Sequence, residues 1–96
     1  MSAAKLSEQE IVERLKSLPG WTLQAGKLHR ELKFKGFVEA FGWMASVALV
    51  AEAMNHHPEW FNVWATVKVD LATHDAGGIT ELDFRLAERM NALLPS

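Results

Sequence analysis

The sequence predicts an α+β fold: an antiparallel sheet with helices packed on one face. Three observations carry this expectation. Helical and strand-like periodicities follow one another as helix, two strands, helix, one or two strands, helix. A hairpin is marked where two alternating runs flank Ala25-Gly26-Lys27. The chain has 96 residues, of which 49% are hydrophobic and 23% charged, enough for one small core and too ordered a composition for a disordered segment. Residues 1–96 therefore read as a single domain, with no internal repeat, low-complexity segment or linker.

The first helix starts at a capping box, Ser7-Glu8-Gln9-Glu10, with Leu6 and Ile11 as the hydrophobic staple. Ile11, Leu15 and Leu18 form its apolar stripe, and Pro19-Gly20 ends it. In the hairpin, Leu28, Leu32 and Phe34 face one way while His29, Glu31 and Lys33 face the other, so His29 reads as a solvated strand residue. Gly36 opens a second helix that runs to about Asn55. Phe37, Phe41, Met44 and Ala48 make one apolar row on it, and Trp43, Val47, Val50 and Met54 make another. A helix apolar on most sides is buried on more than one side. One side should cover the sheet; the other is expected to meet a second subunit. From Phe61 the alternation is long, with Phe61, Val63, Ala65, Val67, Val69 and Leu71 set against Asn62, Trp64, Thr66, Lys68, Asp70, Ala72 and His74. It fits one long strand or a hairpin with an unmarked turn. The last helix has Thr80 as its cap and Asp83 three residues on, with Ile79 and Phe84 as staple and Leu86, Ala87, Met90, Leu93 and Leu94 on its buried side.

Composition narrows the function. A net charge of −2 argues against direct nucleic-acid binding, which favours a basic domain. The absence of cysteine removes disulfides, Cys-ligated zinc and thiol nucleophiles, and it suits a cytoplasmic location. The first residues, Met-Ser-Ala-Ala-Lys-Leu-Ser-Glu, have no apolar signal core. The uncharged apolar run Ala40 to Ala51 is shorter than the ~20 residues that span a bilayer, so no membrane association is expected.

The chemistry concentrates in Glu52-Ala-Met-Asn55-His56-His57-Pro58-Glu59-Trp60-Phe61-Asn62-Val63-Trp64, where the second helix runs into a strand. Pro58 pushes His57 into extended backbone, so His57 should leave the helix while His56 sits on its last turn. Glu52, four residues before His56, shares its side of the helix. His74 lies at a strand end, on the face opposite the aliphatic row. Imidazoles that titrate near neutral pH suit proton transfer to and from a small molecule. Two other readings stay open on spacing alone. His56 and His57 can be surface residues at a helix end, or Glu52, His56, His57 and His74 can ligate zinc, although no HExxH pair or Cys cluster supports a metal. Asp83 reads equally as a helix-start carboxylate that accepts backbone amides.

These residues resemble the pterin-4a-carbinolamine dehydratase (DCoH) family. The shared pattern is filled by Glu52, His56-His57-Pro58, Trp64, His74 and Asp83, and the segments Ala40-Phe-Gly-Trp-Met, Glu59-Trp-Phe-Asn-Val and Leu71-Ala-Thr-His74 are similar to it as well. The resemblance is strong from Leu32 to about Ala87. It implies a four-stranded antiparallel sheet with three helices on one face, and hence a hairpin within Trp60 to Thr73. It implies a homo-oligomer, a dimer extended through the sheet or a tetramer through the middle helix. It also implies the reaction, loss of water from 4a-hydroxytetrahydropterin to give quinonoid dihydropterin, with no metal and no redox cofactor. The implied catalytic residues are His56, His57 and His74. Glu52, Asn55, Pro58, Trp60, Trp64 and Asp83 bind or support, with Glu52 orienting an imidazole and the two tryptophans walling the slot. The alternative is a protein-interaction module whose partner docks on the middle helix.

Overall fold

Trp64 decides the topology. It adopts φ 50, and with Ala65 it forms a two-residue turn that reverses the chain between Val63 and Thr66. The computed structural model describes residues 3–96; Met1 and Ser2, included in the single-domain expectation, lie outside the described residues. Its elements are α1 (Glu8–Leu15), β1 (Thr22–Gln24), β2 (Lys27–Lys33), α2 (Phe37–Met54), β3 (Glu59–Val63), β4 (Thr66–Leu71) and α3 (Glu81–Ala92), with a single 3₁₀ turn at His74–Ala76. The four strands form one antiparallel sheet in the order β1-β2-β4-β3.

The turn changes which side chains share a face. Across a two-residue turn Val63 pairs with Thr66, and Phe61 with Lys68. Paired residues of antiparallel strands project to the same side. Phe61 and Val63 therefore leave the aliphatic row expected of a single long strand and stand exposed on the open face, beside Thr66, Lys68 and Asp70. Trp60 takes the inward side instead, opposite Val69. The first hairpin is tighter than expected. Ala25 (φ 51) and Gly26 (φ 77) both have positive φ, the requirement of a type I′ turn, and Lys27 already belongs to β2.

One core lies between the inner face of the sheet and the helices. Leu28, Leu32, Val67, Val69 and Leu71 come from the strands, Ile11 from α1, Ala40, Trp43, Val47 and Ala51 from α2, and Phe84, Leu86, Ala87 and Met90 from α3. Trp43 sits at its centre. Its ring lies 5.5 Å from Phe34 and 6.2 Å from Trp60, and its indole N–H donates to the Met90 carbonyl at 3.1 Å, tying α2 to α3. Both capping boxes form, at Ser7/Glu10 and Thr80/Asp83.

Helix α2 covers more length than its uncharged run. At 18 residues with a mean hydropathy of 1.4 it is long and apolar enough to cross a membrane by length and composition alone. Its Ala40–Trp43–Val47–Ala51 row is in the core, however. The opposite side carries Phe37, Val38, Phe41 and Leu49, all exposed, so no part of the described chain covers that row.

Candidate active site

The helix-to-strand corner is built by Asn55. Helix α2 stops at Met54, and Asn55 turns left-handed at φ 52, a conformation asparagine tolerates better than most residues. The amide of Asn55 bonds the Glu52 carbonyl at 3.1 Å, and the amide of His56 bonds the Ala51 carbonyl at 3.0 Å. This pair is the Schellman arrangement, with Asn55 and His56 already past the helix end. His56 is therefore not on the last helical turn. In the sequence Pro58 is the overt breaker, and nothing there marks the left-handed step at Asn55.

The corner turns the two adjacent imidazoles toward different carboxylates. His56, 8% exposed, places Nε2 2.6 Å from Asp83 Oδ1. His57 is exposed, and its Nε2 lies 2.7 Å from Glu52 Oε1. Glu52 thus pairs with His57 rather than with His56 as the four-residue spacing suggested. The left-handed step at Asn55 carries His56 off the helical face that Glu52 occupies. His74 arrives from the other side, in the 3₁₀ turn after β4, with Nε2 3.1 Å from Glu59 Oε2.

Asp83 is fully buried, and every donor around it is accounted for. Its Oδ2 accepts from the Thr80 amide at 2.9 Å and from the Thr73 hydroxyl at 2.8 Å. Because the Thr73 proton goes to Asp83, the Thr80 hydroxyl donates to Thr73 Oγ1 at 2.7 Å, and Thr80 Oγ1 in turn accepts from the Leu82 amide at 3.2 Å. Asp83 is therefore at once the helix cap and the hydrogen-bond partner of His56. With two donors already on the other oxygen, Asp83 Oδ1 takes the His56 Nε2–H. That leaves Nδ1 of a neutral His56 carrying the lone pair. Nδ1 has no hydrogen-bond partner among the described residues.

His56, His57 and His74 share a cleft of about 230 Å³ with Asn55, Ala72, Thr73 and Asp75. A neighbouring cavity of about 510 Å³, lined by Ala3, Met54, Asn55, His56, Thr73, Asp75 and Leu82, shares four of these residues. Pro58 is half-buried just before β3. Trp60 and Trp64 are placed elsewhere. Trp60 packs inward on Trp43, and Trp64 stands exposed at the far end of β3. Neither lines the cleft of this chain. No three His, Asp or Glu side chains among the described residues form a metal-binding group; each imidazole has its own carboxylate instead.

The sequence marks Thr80 only as a helix cap and gives Thr73 and Glu59 no role at the site. Thr73 and Thr80 could have been found from Asp83, since a buried cap carboxylate needs donors from its surroundings. Glu59 carried a signal too, as the first β3 residue after His57-Pro58. One hydrogen bond dominates its electrostatics. Lys27, chiefly through its bond to Glu59, holds the Glu59 carboxyl below the ordinary carboxylate value, against a smaller opposing effect of burial.

The family model described as pterin 4 alpha carbinolamine dehydratase matches residues 4–93. The chain belongs to that family. A relative from Solibacter usitatus is 60% identical over 89 residues, covering 93% of this chain and 94% of its own. One from Prochlorococcus marinus (strain MIT 9303) is 52% identical over 95 residues, covering 99% of each. Both carry the provisional name pterin-4-alpha-carbinolamine dehydratase. A crystal structure from Brucella melitensis, described as a transcriptional coactivator/pterin dehydratase, superposes with a TM-score of 0.91 at 48% identity, covering 95% of this chain and 99% of the other. The dehydratase family fold is thus the α+β sheet with three helices that the sequence predicted.

Proposed function

We propose that this chain is a hydro-lyase that removes water from 4a-hydroxytetrahydropterin to give quinonoid dihydropterin, in the recycling of the tetrahydropterin used for aromatic amino acid hydroxylation. The observation that carries the reading is the convergence of three imidazoles on one cleft, each with its own carboxylate. The reaction takes a proton from N5 and delivers one to the departing 4a-hydroxyl. It needs a base and an acid on one flat substrate, and no change of oxidation state. His56 supplies the base, because Asp83 fixes its Nε2–H and leaves Nδ1 as the acceptor. His74 supplies the acid from the other wall, and His57, steadied by Glu52, holds the pterin.

The test generates the carbinolamine in situ and follows quinonoid dihydropterin by absorbance. Wild type should accelerate the dehydration, with or without a chelator. His56→Ala and His74→Ala should each lose about 10²–10⁴-fold in kcat/KM, the usual contribution of a general acid or base. Unchanged kcat/KM in either variant would remove that histidine from the chemistry.

A second reading rests on the exposed Phe37, Val38, Phe41 and Leu49 of α2. A row of this kind marks a protein contact, either another copy of the chain or the helical dimerisation segment of a transcription factor. A chain carrying both histidine substitutions that still bound such a segment tightly would favour an interaction role. Binding lost together with activity would not.

A further inference from the structure

We propose that Glu59 is a positioning residue that fixes the ring orientation and tautomer of His74 from the open face of the sheet. The inference rests on the reading of His74 as an acid–base group. Glu59 is the first residue of β3 and pairs with Asp70 of β4, which pairs in turn with His29 of β2. The three residues form a polar row on the uncovered side. Glu59 spans that row's edge with both oxygens. Oε1 receives the Lys27 ammonium at 2.5 Å, and Oε2 faces His74 Nε2 at 3.1 Å.

The three imidazoles are not held equally. His56 is buried against Asp83, and His57 is bonded to Glu52. His74 is the loosest: 78% of its side chain is exposed, and Glu59 is its one side-chain partner among the described residues. An imidazole on a short 3₁₀ turn would otherwise rotate freely about χ1 and χ2. A carboxylate at Nε2 keeps a proton on that nitrogen before and after the transfer, so the proton that His74 delivers as the acid leaves from Nδ1. Glu59 can do this only while ionised and fixed, and Lys27 secures both conditions from the next-but-one strand. The charged groups around His74 are Glu59 and Lys27 from the sheet and Asp75 from its own turn, with His56 and His57 across the cleft.

Glu59 lines neither cavity, so it should act on turnover and not on substrate binding. The Lys27–Glu59 ion pair is partly exposed, a setting in which such pairs add little to stability. These two facts separate positioning from scaffolding. Wild type, Glu59→Ala, Glu59→Gln, Lys27→Met and His74→Ala would be compared by steady-state kinetics and by the ¹⁵N shifts of the His74 ring. The expected result for Glu59→Ala is a fall in kcat of roughly tenfold, the scale of a modest misplacement of a reacting group, with KM held. The His74 ring should at the same time lose its Nε2–H preference. Glu59→Gln keeps an acceptor oxygen and should recover part of the kcat and of the tautomer, and Lys27→Met should give a smaller loss than Glu59→Ala. If His74→Ala abolishes turnover while Glu59→Ala keeps both kcat and the His74 tautomer, the role of Glu59 is overturned and that of His74 stands. If His74→Ala itself turns over normally, the acid–base reading of His74 fails and Glu59 has nothing to position.

Discussion

Asp83 accepts from the N-cap amide, a threonine hydroxyl and an imidazole while fully buried, so it ties the start of α3 to the His56 ring in one residue. Removing one partner from such a network leaves the others desolvated and unpaired, which costs more than the bonds themselves contributed. Asp83→Ala should lower unfolding stability by about 3–5 kcal/mol in urea titrations and abolish dehydratase activity. Asp83→Asn separates the two effects. It keeps the shape and one acceptor oxygen but offers an N–H₂ group on the other side. An N–H₂ facing His56 would favour the opposite tautomer, with Nε2 as acceptor. A large kcat loss with a smaller stability loss is expected, and equal losses in both measurements would mean that Asp83 is only a cap. Much of this was legible in the sequence. Asp83, His56, His57, His74 and Glu52 were all named from spacing and resemblance. Which carboxylate serves which imidazole was not legible, because a single left-handed residue, Asn55, redirects His56 by a turn that spacing along a helix cannot express.

The element scale shows a different limit on sequence reading. The Phe61-to-Leu71 alternation survives a two-residue turn without a break in period, so the strand pattern alone cannot report the reversal at Trp64. The usual marker, Asn-Gly or Asp-Gly, is absent, and a bulky aromatic residue takes φ 50 instead. Such a residue sits where an L side chain is strained, and Trp64 is 68% exposed, so little packing within the chain offsets the strain. Trp64→Gly should leave the stability of the isolated fold unchanged or raise it by up to about 1 kcal/mol, read from the thermal or urea midpoint. A clear destabilisation would show that Trp64 makes a contact that the single chain does not contain. The open face of the sheet carries a second, pH-dependent signature. His29 is held above its ordinary value of 6.5, mainly by its hydrogen bond to Asp70 at 2.8 Å and secondarily by Glu31. A raised histidine contributes its full stabilisation below 6.5 and loses it as pH rises through the higher folded-state value. The stability difference between wild type and His29→Asn should therefore be larger at about pH 6 than at about pH 9. A partly exposed pair limits that difference to about 0.2–1 kcal/mol. A difference that grew toward high pH would contradict the assigned ion pair.

At the scale of the whole molecule, the uncovered parts all lie outside the core. The inner sheet face and three helices enclose one hydrophobic cluster, while Phe37, Val38, Phe41 and Leu49 on α2 and Phe61, Val63 and Trp64 around β3 remain open. Val38 is 85% exposed and Leu49 76%, far beyond what a helix turned to water needs. Small domains with this much apolar surface are commonly stabilised by association. The expected homo-oligomer is consistent with both surfaces, and α2 offers the more direct test because its outer row can be charged without touching the Ala40–Trp43–Val47–Ala51 row inside. A Phe41→Glu/Leu49→Glu double variant should elute as a smaller species than wild type in size exclusion with light scattering, with the far-UV circular dichroism retained. If association through α2 stabilises the fold, the wild-type thermal midpoint should rise with protein concentration and that of the variant should not, since binding to the folded state alone shifts unfolding by mass action. A wild type that is monomeric at all concentrations, with the same midpoint as the variant, would assign the exposed row to a different partner. In that case the proposed dehydratase activity at the helix-to-strand corner should be equal in both proteins.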